Sequence, residues 1–320
     1  MRVTIKKQYL IIILLLVAIA IATPILYTKI YSRENRVVVR FAVELNDHSS
    51  AFWIALDKKW FSREGINVEY YTFSTGLELS ATLVHGDVDV AIACIGPLIL
   101  AYDRGVSFKI IAMMHNHGYA LIVNPDRIRS IDELNDKKVS ASGPGSPTWV
   151  LLEILSEKYN LSMNIHRMPP YMAISALRLG EIDAASLPEH YATLAESMGY
   201  NRLIDSRDIW REMPGSGLAV TTSFLDKHYD LVVKILEIME RAINYIRENL
   251  SEASVIVAKH LASDKGLIEE SMSNLDYTLE IKLSEIKKYI DLLKKYDVIE
   301  NNISVYDLVD LSLLEELNVD

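Results

Sequence analysis

Two short runs in this 320-residue chain set hydroxyls beside glycines where a helix is expected to begin. They are Ser74-Thr75-Gly76 and Gly143-Pro144-Gly145-Ser146-Pro147-Thr148-Trp149. Such a run offers O–H donors, backbone N–H groups and close backbone approach, which together suit an oxyanion. The plainer role of the same hydroxyls is helix N-capping. Pro147 fits the first turn of a helix but removes one N–H donor from the second run. His115 and His117 share a face if they lie in a strand. No third and fourth ligands stand at suitable spacing, so no metal is expected there. The chain shows neither a G-x-S-x-G elbow nor a Walker lysine. A base and a nucleophile cannot be assembled into a catalytic pair, so no enzyme activity and no cofactor are expected.

The elements that position these runs alternate between strand and helix. Val37 to Val43, Ile66 to Phe73, Val88 to Cys94 and Phe108 to Met114 read as strands. Helices are expected from Ser49 or Ser50 to Phe61, from Ser74 or Thr75 to His85, and from Gly96-Pro97 to near Gly105. The middle of the chain repeats the scheme, with strands at Tyr119 to Val123, Lys138 to Ala141, Ile165 to Met168 and Ile182 to Ser186. Between and after them helices are expected at Ser146 to Tyr159, at Tyr171 to Leu179 and up to Met198. This alternation predicts an α/β protein built from parallel βαβ units. After Thr221 the pattern turns helical, with Phe224 to Asn249 predicted as one long amphipathic helix.

The segment Ala81 to Ala91 (ATLVHGDVDVA) echoes Ser175 to Ala185 (SALRLGEIDAA) at a constant offset of 94. Each reads as a helix end, a glycine stop, an acid and a buried strand. The repeat predicts two lobes of like topology.

Charge and composition narrow the partners. The first 36 residues hold six Lys and Arg against one Glu, so the remaining chain has 27 basic and 42 acidic residues and a formal charge of −15. Such a body is a poor partner for nucleic acid, whose affinity rests largely on phosphate neutralisation. Cys94 is the single cysteine. An intrachain disulfide is therefore impossible, and no cysteine metal site is expected. Asn-x-Ser sequons at Asn160, Asn249 and Asn302 are compatible with a surface protein.

At the N-terminus an apolar stretch runs from Tyr9 to Tyr27, about the length needed to span a bilayer core. It exceeds the usual core of a cleaved signal, and no cysteine lies nearby to take a lipid. The expectation is an uncleaved signal anchor at 9–27, with a cytoplasmic tip at 1–8. A tether at 28–36 would reach roughly 25–30 Å when extended. Basic residues flank both sides of the stretch and leave its orientation nearly balanced.

The stretch Ala51-Phe-Trp-Ile-Ala-Leu-Asp-Lys-Lys-Trp-Phe-Ser-Arg-Glu-Gly-Ile-Asn-Val-Glu69 resembles the opening of ABC-importer substrate-binding proteins for nitrate, aliphatic sulfonates and taurine. Thiamine-pyrimidine precursor binders and synthases share it. Ser74-Thr75-Gly76, Gly86-Asp-Val-Asp-Val90 with Gly96-Pro97, and Gly180-Glu-Ile-Asp-Ala184 with Pro188 follow in the order of that family, over roughly residues 40 to 220. The resemblance implies a periplasmic-binding-protein type II fold of two βα lobes with two crossovers, preceded by the transmembrane helix. Lobe 1 would be 37–116 plus 219–320, and lobe 2 would be 117–218. It also implies an extracytoplasmic receptor working with a permease and an ATPase.

A small solute, expected to be anionic, would sit in the interlobe cleft, where loops at strand carboxyl ends converge. The candidate contacts are Asn46, His48, Ser74, Thr75, Gly76, Gly96, His117, Tyr119, Ser146, Thr148 and Glu189. Asp47 and Glu189 could receive an amine. The alternatives are a membrane-attached ligand sensor, or a pyrimidine-synthesis-like enzyme of the same fold. The synthases, however, carry a cysteine-rich run that this chain lacks.

Overall fold

The computed structural model describes Thr23 and residues 37–83 and 85–317. The expected anchor at 9–27 and the tether at 28–36 lie outside the described residues, Thr23 apart. Among the described residues no helix is long and apolar enough to cross a membrane.

In chain order the first unit comprises β1 (Val38–Glu44), α1 (Ser50–Asp57), β2 (Asn67–Phe73), α2 (Gly76–Leu83), β3 (Val90–Cys94), α3 (Ile95–Asp103) and β4 (Phe108–His117). The second comprises β5 (Tyr119–Val123), β6 (Lys138–Ala141), α4 (Pro147–Tyr159), β7 (Asn164–Arg167), α5 (Pro170–Leu179), β8 (Ala184–Pro188), α6 (Tyr191–Ser197) and β9 (Asn201–Asp205). The chain then returns through β10 (Pro214–Thr221), α7 (Tyr229–Glu248), α8 (Leu250–Leu261), α9 (Lys265–Ser273), β11 (Leu275–Tyr277) and α10 (Leu283–Lys295). Short helical turns fill the gaps.

The strands form two sheets, ordered β2-β1-β3-β10-β4-β11 and β7-β6-β8-β5-β9. In each, a parallel trio is flanked by an antiparallel strand that directly follows a crossover: β10 beside β3, and β5 beside β8. The two lobes therefore share one topology. The sequence echo falls on equivalent points. Asp89 N–H donates to Arg40 O, while its carboxylate accepts the Arg40 N–H at 2.9 Å. Asp183 does the same with Lys138, whose N–H reaches the Asp183 carboxylate at 3.0 Å. The preceding glycines, Gly86 and Gly180, both take positive φ (73° and 69°) to end their helices.

Two differences from expectation have physical causes. The lobe boundary expected at 218/219 falls inside β10, which pairs with β3 and β4 of the first sheet. Pro214-Gly-Ser-Gly217 reads as a loop, yet its glycines are what let it cross there. A Cβ on Gly215 would sit 2.3 Å from the His115 ring, and one on Gly217 would sit 2.9 Å from Ile95. The crossovers accordingly lie at His117-Gly118, both with positive φ, and between β9 and β10. The long helix expected over 224–249 is broken at His228, whose extended φ of −136° separates Thr222–Lys227 from α7. The amphipathic stripe itself is present: Val232, Ile235, Leu236, Met239, Ala242, Ile243 and Ile246 are all buried on one face of α7.

Candidate functional site

The carboxyl ends of β1, β2 and β3 face those of β6, β7 and β8 across the gap between lobes. The walls there leave room for about one water, roughly 20 Å³, so the lobes stand nearly shut on one another. Lobe 1 supplies Glu44, Ser74-Thr75-Gly76, Cys94 and Pro97. Lobe 2 supplies Tyr119, Ser142, Ser146, Thr148, Pro170 and Pro188. Helices α2, α4 and α5 begin at this wall and direct N-terminal dipoles toward it.

Of the expected contacts, Ser74, Thr75, Gly76, Tyr119, Ser146 and Thr148 line this space. Their hydroxyls also have local work. Thr75 Oγ1 accepts the Glu78 N–H at 3.2 Å as the cap of α2. Ser146 caps α4 by accepting the Trp149 N–H and donates to Gly143 O at 2.7 Å. Thr148 Oγ1 accepts the Ser142 N–H at 3.1 Å and lies 3.0 Å from Ser146 Oγ. The second run is thus folded on itself and rigid before any solute arrives.

The remaining candidates lie elsewhere. Asn46 caps the turn Asp47–Ser49 through its side chain and reaches Glu44 with its Nδ2. Gly96 is not in the wall but at a contact between lobes, facing Gly145. His117 sits at the crossover, 3.6 Å from the Asp276 carboxylate. Glu189 is buried against Arg202, at 2.6 Å, and Thr193. His48 lies behind the wall, its ring 4.3 Å from that of His115 and edge-on to Tyr119.

Glu44 was not among the expected contacts. It is the last residue of β1 and 4 % exposed. Its Oε1 accepts the Cys94 N–H at 2.7 Å, and Gly76 has room for no side chain because a Cβ would lie 2.6 Å from that oxygen. A lone acid closing the apolar run Val37–Val43 was the available signal. Burial pushes its carboxyl pKa up, offset in part by the Cys94 N–H. Burial also pushes the Cys94 thiol and the Tyr119 phenol well up, and the His48 imidazole well down. Burial thus works against charge on each group of the cleft floor. Lys and Arg do not occur in its lining.

Residues 39–262 match the NMT1-like family. The chain belongs to that family. Among curated proteins it is 26 % identical over 302 residues to the putative aliphatic sulfonates-binding protein of Bacillus subtilis (strain 168), covering 89 % of this chain and 90 % of that one. The ligand-binding component of an ABC-type import system from Staphylococcus aureus, solved with zinc bound, superposes with a TM-score of 0.79 at 20 % identity. That match covers 88 % of this chain and 99 % of the other. The periplasmic nitrate-binding protein NrtA from Synechocystis PCC 6803 gives a TM-score of 0.78 at 12 % identity, covering 88 % of each chain. These structures share the two-lobed fold of this NMT1-like chain.

Proposed function

We propose that the chain is the extracytoplasmic solute-binding subunit of an ABC importer, taking a small oxyanion-bearing solute of the sulfonate, taurine, nitrate or thiamine-precursor kind between its lobes. The observation that carries this reading is the cavity itself. It is walled by the strand ends of two lobes of like topology that are joined only at crossovers. Such lobes close on ligand by hinge motion. The names of the Bacillus and Synechocystis relatives support the sulfonate and nitrate members of that range. Residues 9–27 would hold the protein at the membrane. Retention of the full chain in the membrane fraction after alkaline washing is expected, and its release intact would remove the anchor.

Catalysis fits less well. A nucleophilic cysteine must be a thiolate, and burial beside Glu44 drives Cys94 the other way.

Calorimetry with taurine, alkanesulfonates, nitrate and pyrimidine precursors tests the receptor reading. If every member fails to bind or to raise the melting temperature, the reading is wrong. Glu44 gives it a sharper form. A neutral Glu44 can donate to a solute oxygen, whereas an ionised one repels it. In chelator-treated protein, oxyanion affinity is expected to fall as pH rises through the raised Glu44 pKa, by up to about tenfold per pH unit above it. Glu44→Gln should bind with a flat pH profile.

A further inference from the structure

Glu44, His48 and Cys94 form a set that the receptor reading does not use. Glu44 ends β1, His48 follows it in the turn Asp47–Ser49, and Cys94 ends the neighbouring parallel strand β3. One donor atom from each lies within 4.8 Å of the others, and all three residues are buried. His48 Nδ1 faces Cys94 Sγ at 3.9 Å. A tetrahedral zinc ion with its usual bond lengths holds nitrogen and sulfur roughly 3.5 Å apart. Seating an ion therefore needs that pair to close by about 0.4 Å, and donors as far apart as 4.8 Å to close by more than about 1 Å.

A well-packed polar core would pair these atoms with one another. Here His48 Nε2 lies buried against Gly118 with no hydrogen bond, and Nε2 of the adjoining His115 ring is likewise unpaired. Nδ1, the other ring nitrogen of His48, faces the thiol. From lobe 2 the Tyr119 hydroxyl donates to Cys94 Sγ at 3.2 Å.

We propose that the cleft floor is a site for a divalent cation of borderline softness, zinc or cobalt(II), held by Glu44, His48 and Cys94 with a fourth position open to the cleft. One carboxylate, one imidazole and one thiolate suit such an ion. Magnesium and calcium take oxygen ligands, and copper(I) prefers softer sets. The expectation that a single cysteine excludes a metal site counted cysteines, whereas a mixed set needs only one. Binding displaces one proton from Cys94 and one from Glu44 to solvent, so affinity rises with pH. The open position would receive a solute oxygen, giving an anion the positive centre that the side chains of the wall lack.

The test uses the untagged full chain in detergent, stripped with chelator and titrated with cobalt(II). Because Cys94 is the single cysteine, any thiolate-to-cobalt charge-transfer band in the near ultraviolet reports that residue. The band is expected to saturate at one equivalent, to vanish on adding zinc, and to withstand magnesium. Cys94→Ser should abolish it, and His48→Gln and Glu44→Gln should each weaken cobalt affinity at least tenfold. Circular dichroism of each variant shows whether it is folded, and the wild-type band stands as a test even if one variant is not. Absence of the band, or a band unchanged in His48→Gln, overturns the proposal. Cobalt uptake without the band also overturns it, since the ion then sits on surface groups. Solute calorimetry is run on metal-loaded and on stripped protein: failure in both sinks the importer reading whatever the cobalt band shows, and absence of the band overturns the metal site whatever the solute does, so the two can fail separately.

Discussion

Replacing Gly96 with alanine is expected to weaken solute binding by about a hundredfold, roughly 2.7 kcal/mol, while both lobes stay folded. Gly96 lies in the first turn of α3, where lobe 1 meets lobe 2. A Cβ built on it would lie 2.0 Å from Gly145 O and 2.6 Å from the Tyr289 hydroxyl, which itself donates to Gly145 O at 3.3 Å. Carbon and oxygen cannot approach so closely. The obstacle at Gly145 is backbone, so no rotamer change relieves it. Gly145 cannot easily retreat, because its φ of 87° and the fit against Leu100 already restrict it. The added methyl must therefore hold the lobes apart. Within lobe 1 the methyl must also displace the buried Tyr289 ring, a cost set against the roughly 1 kcal/mol by which alanine favours a helix over glycine. Calorimetry gives the affinity, and small-angle scattering with and without solute reads the closure. An alanine variant that binds as tightly as the parent would mean that this lobe contact is absent from the bound state.

The same contact shows where sequence reasoning stops. Gly96 was expected to approach a solute, because a glycine at a helix start beside a cleft invites that reading. What it approaches is another glycine 49 residues away, and a close pairing across two lobes leaves no local signal. The hydroxyls at Ser74, Thr75, Ser146 and Thr148 were legible because helix caps announce themselves within a few residues. Glu189 was misplaced for the opposite reason. Its partner Arg202 is held by Glu196 and Asp205 as well, so the carboxylate is engaged on its own lobe. Glu44 carries no loop signal, because it is the buried last residue of β1 and not part of the turn that follows.

The lobe repeat was legible in one eleven-residue echo, since Asp89 and Asp183 perform one task in both sheets. The second crossover was not, because β10 uses glycine and proline where strands usually place branched residues. Strand β11, three residues long, is too short for alternation to show.

The largest effect on stability is expected at Asp47. Its side chain is fully buried, Oδ2 accepts from Ser271 Oγ, and Oδ1 has no partner. Burial, then the charge of Glu189 from lobe 2, pushes its pKa up to about 8. Glu189 has Arg202, Thr193 and Asn274 to support its charge, so Asp47 is the one that keeps a proton. The other ionisable groups around it stay neutral near pH 7. Burial lowers His115 to about 3 and His190 to about 4, pushes His48 well down, and raises Tyr277 and Tyr191.

The sign follows from the raised pKa. An unfolded or lobe-open Asp47 titrates near 3.9, and the closed one near 8. The stability of the closed form is therefore fully present below about pH 4 and declines as pH rises through 8, by up to about 1.4 kcal/mol per unit. Asp47→Asn keeps the contact to Ser271 and has no proton to lose. Its melting temperature at pH 8 should exceed the parent's by roughly 5–10 °C, with the difference shrinking toward pH 5. If instead the parent gains stability steadily from pH 5 to 8, Asp47 does not carry the proton. This effect is separable from that of Glu44, because Asp47→Asn changes melting without solute present, whereas Glu44→Gln changes the pH slope of binding.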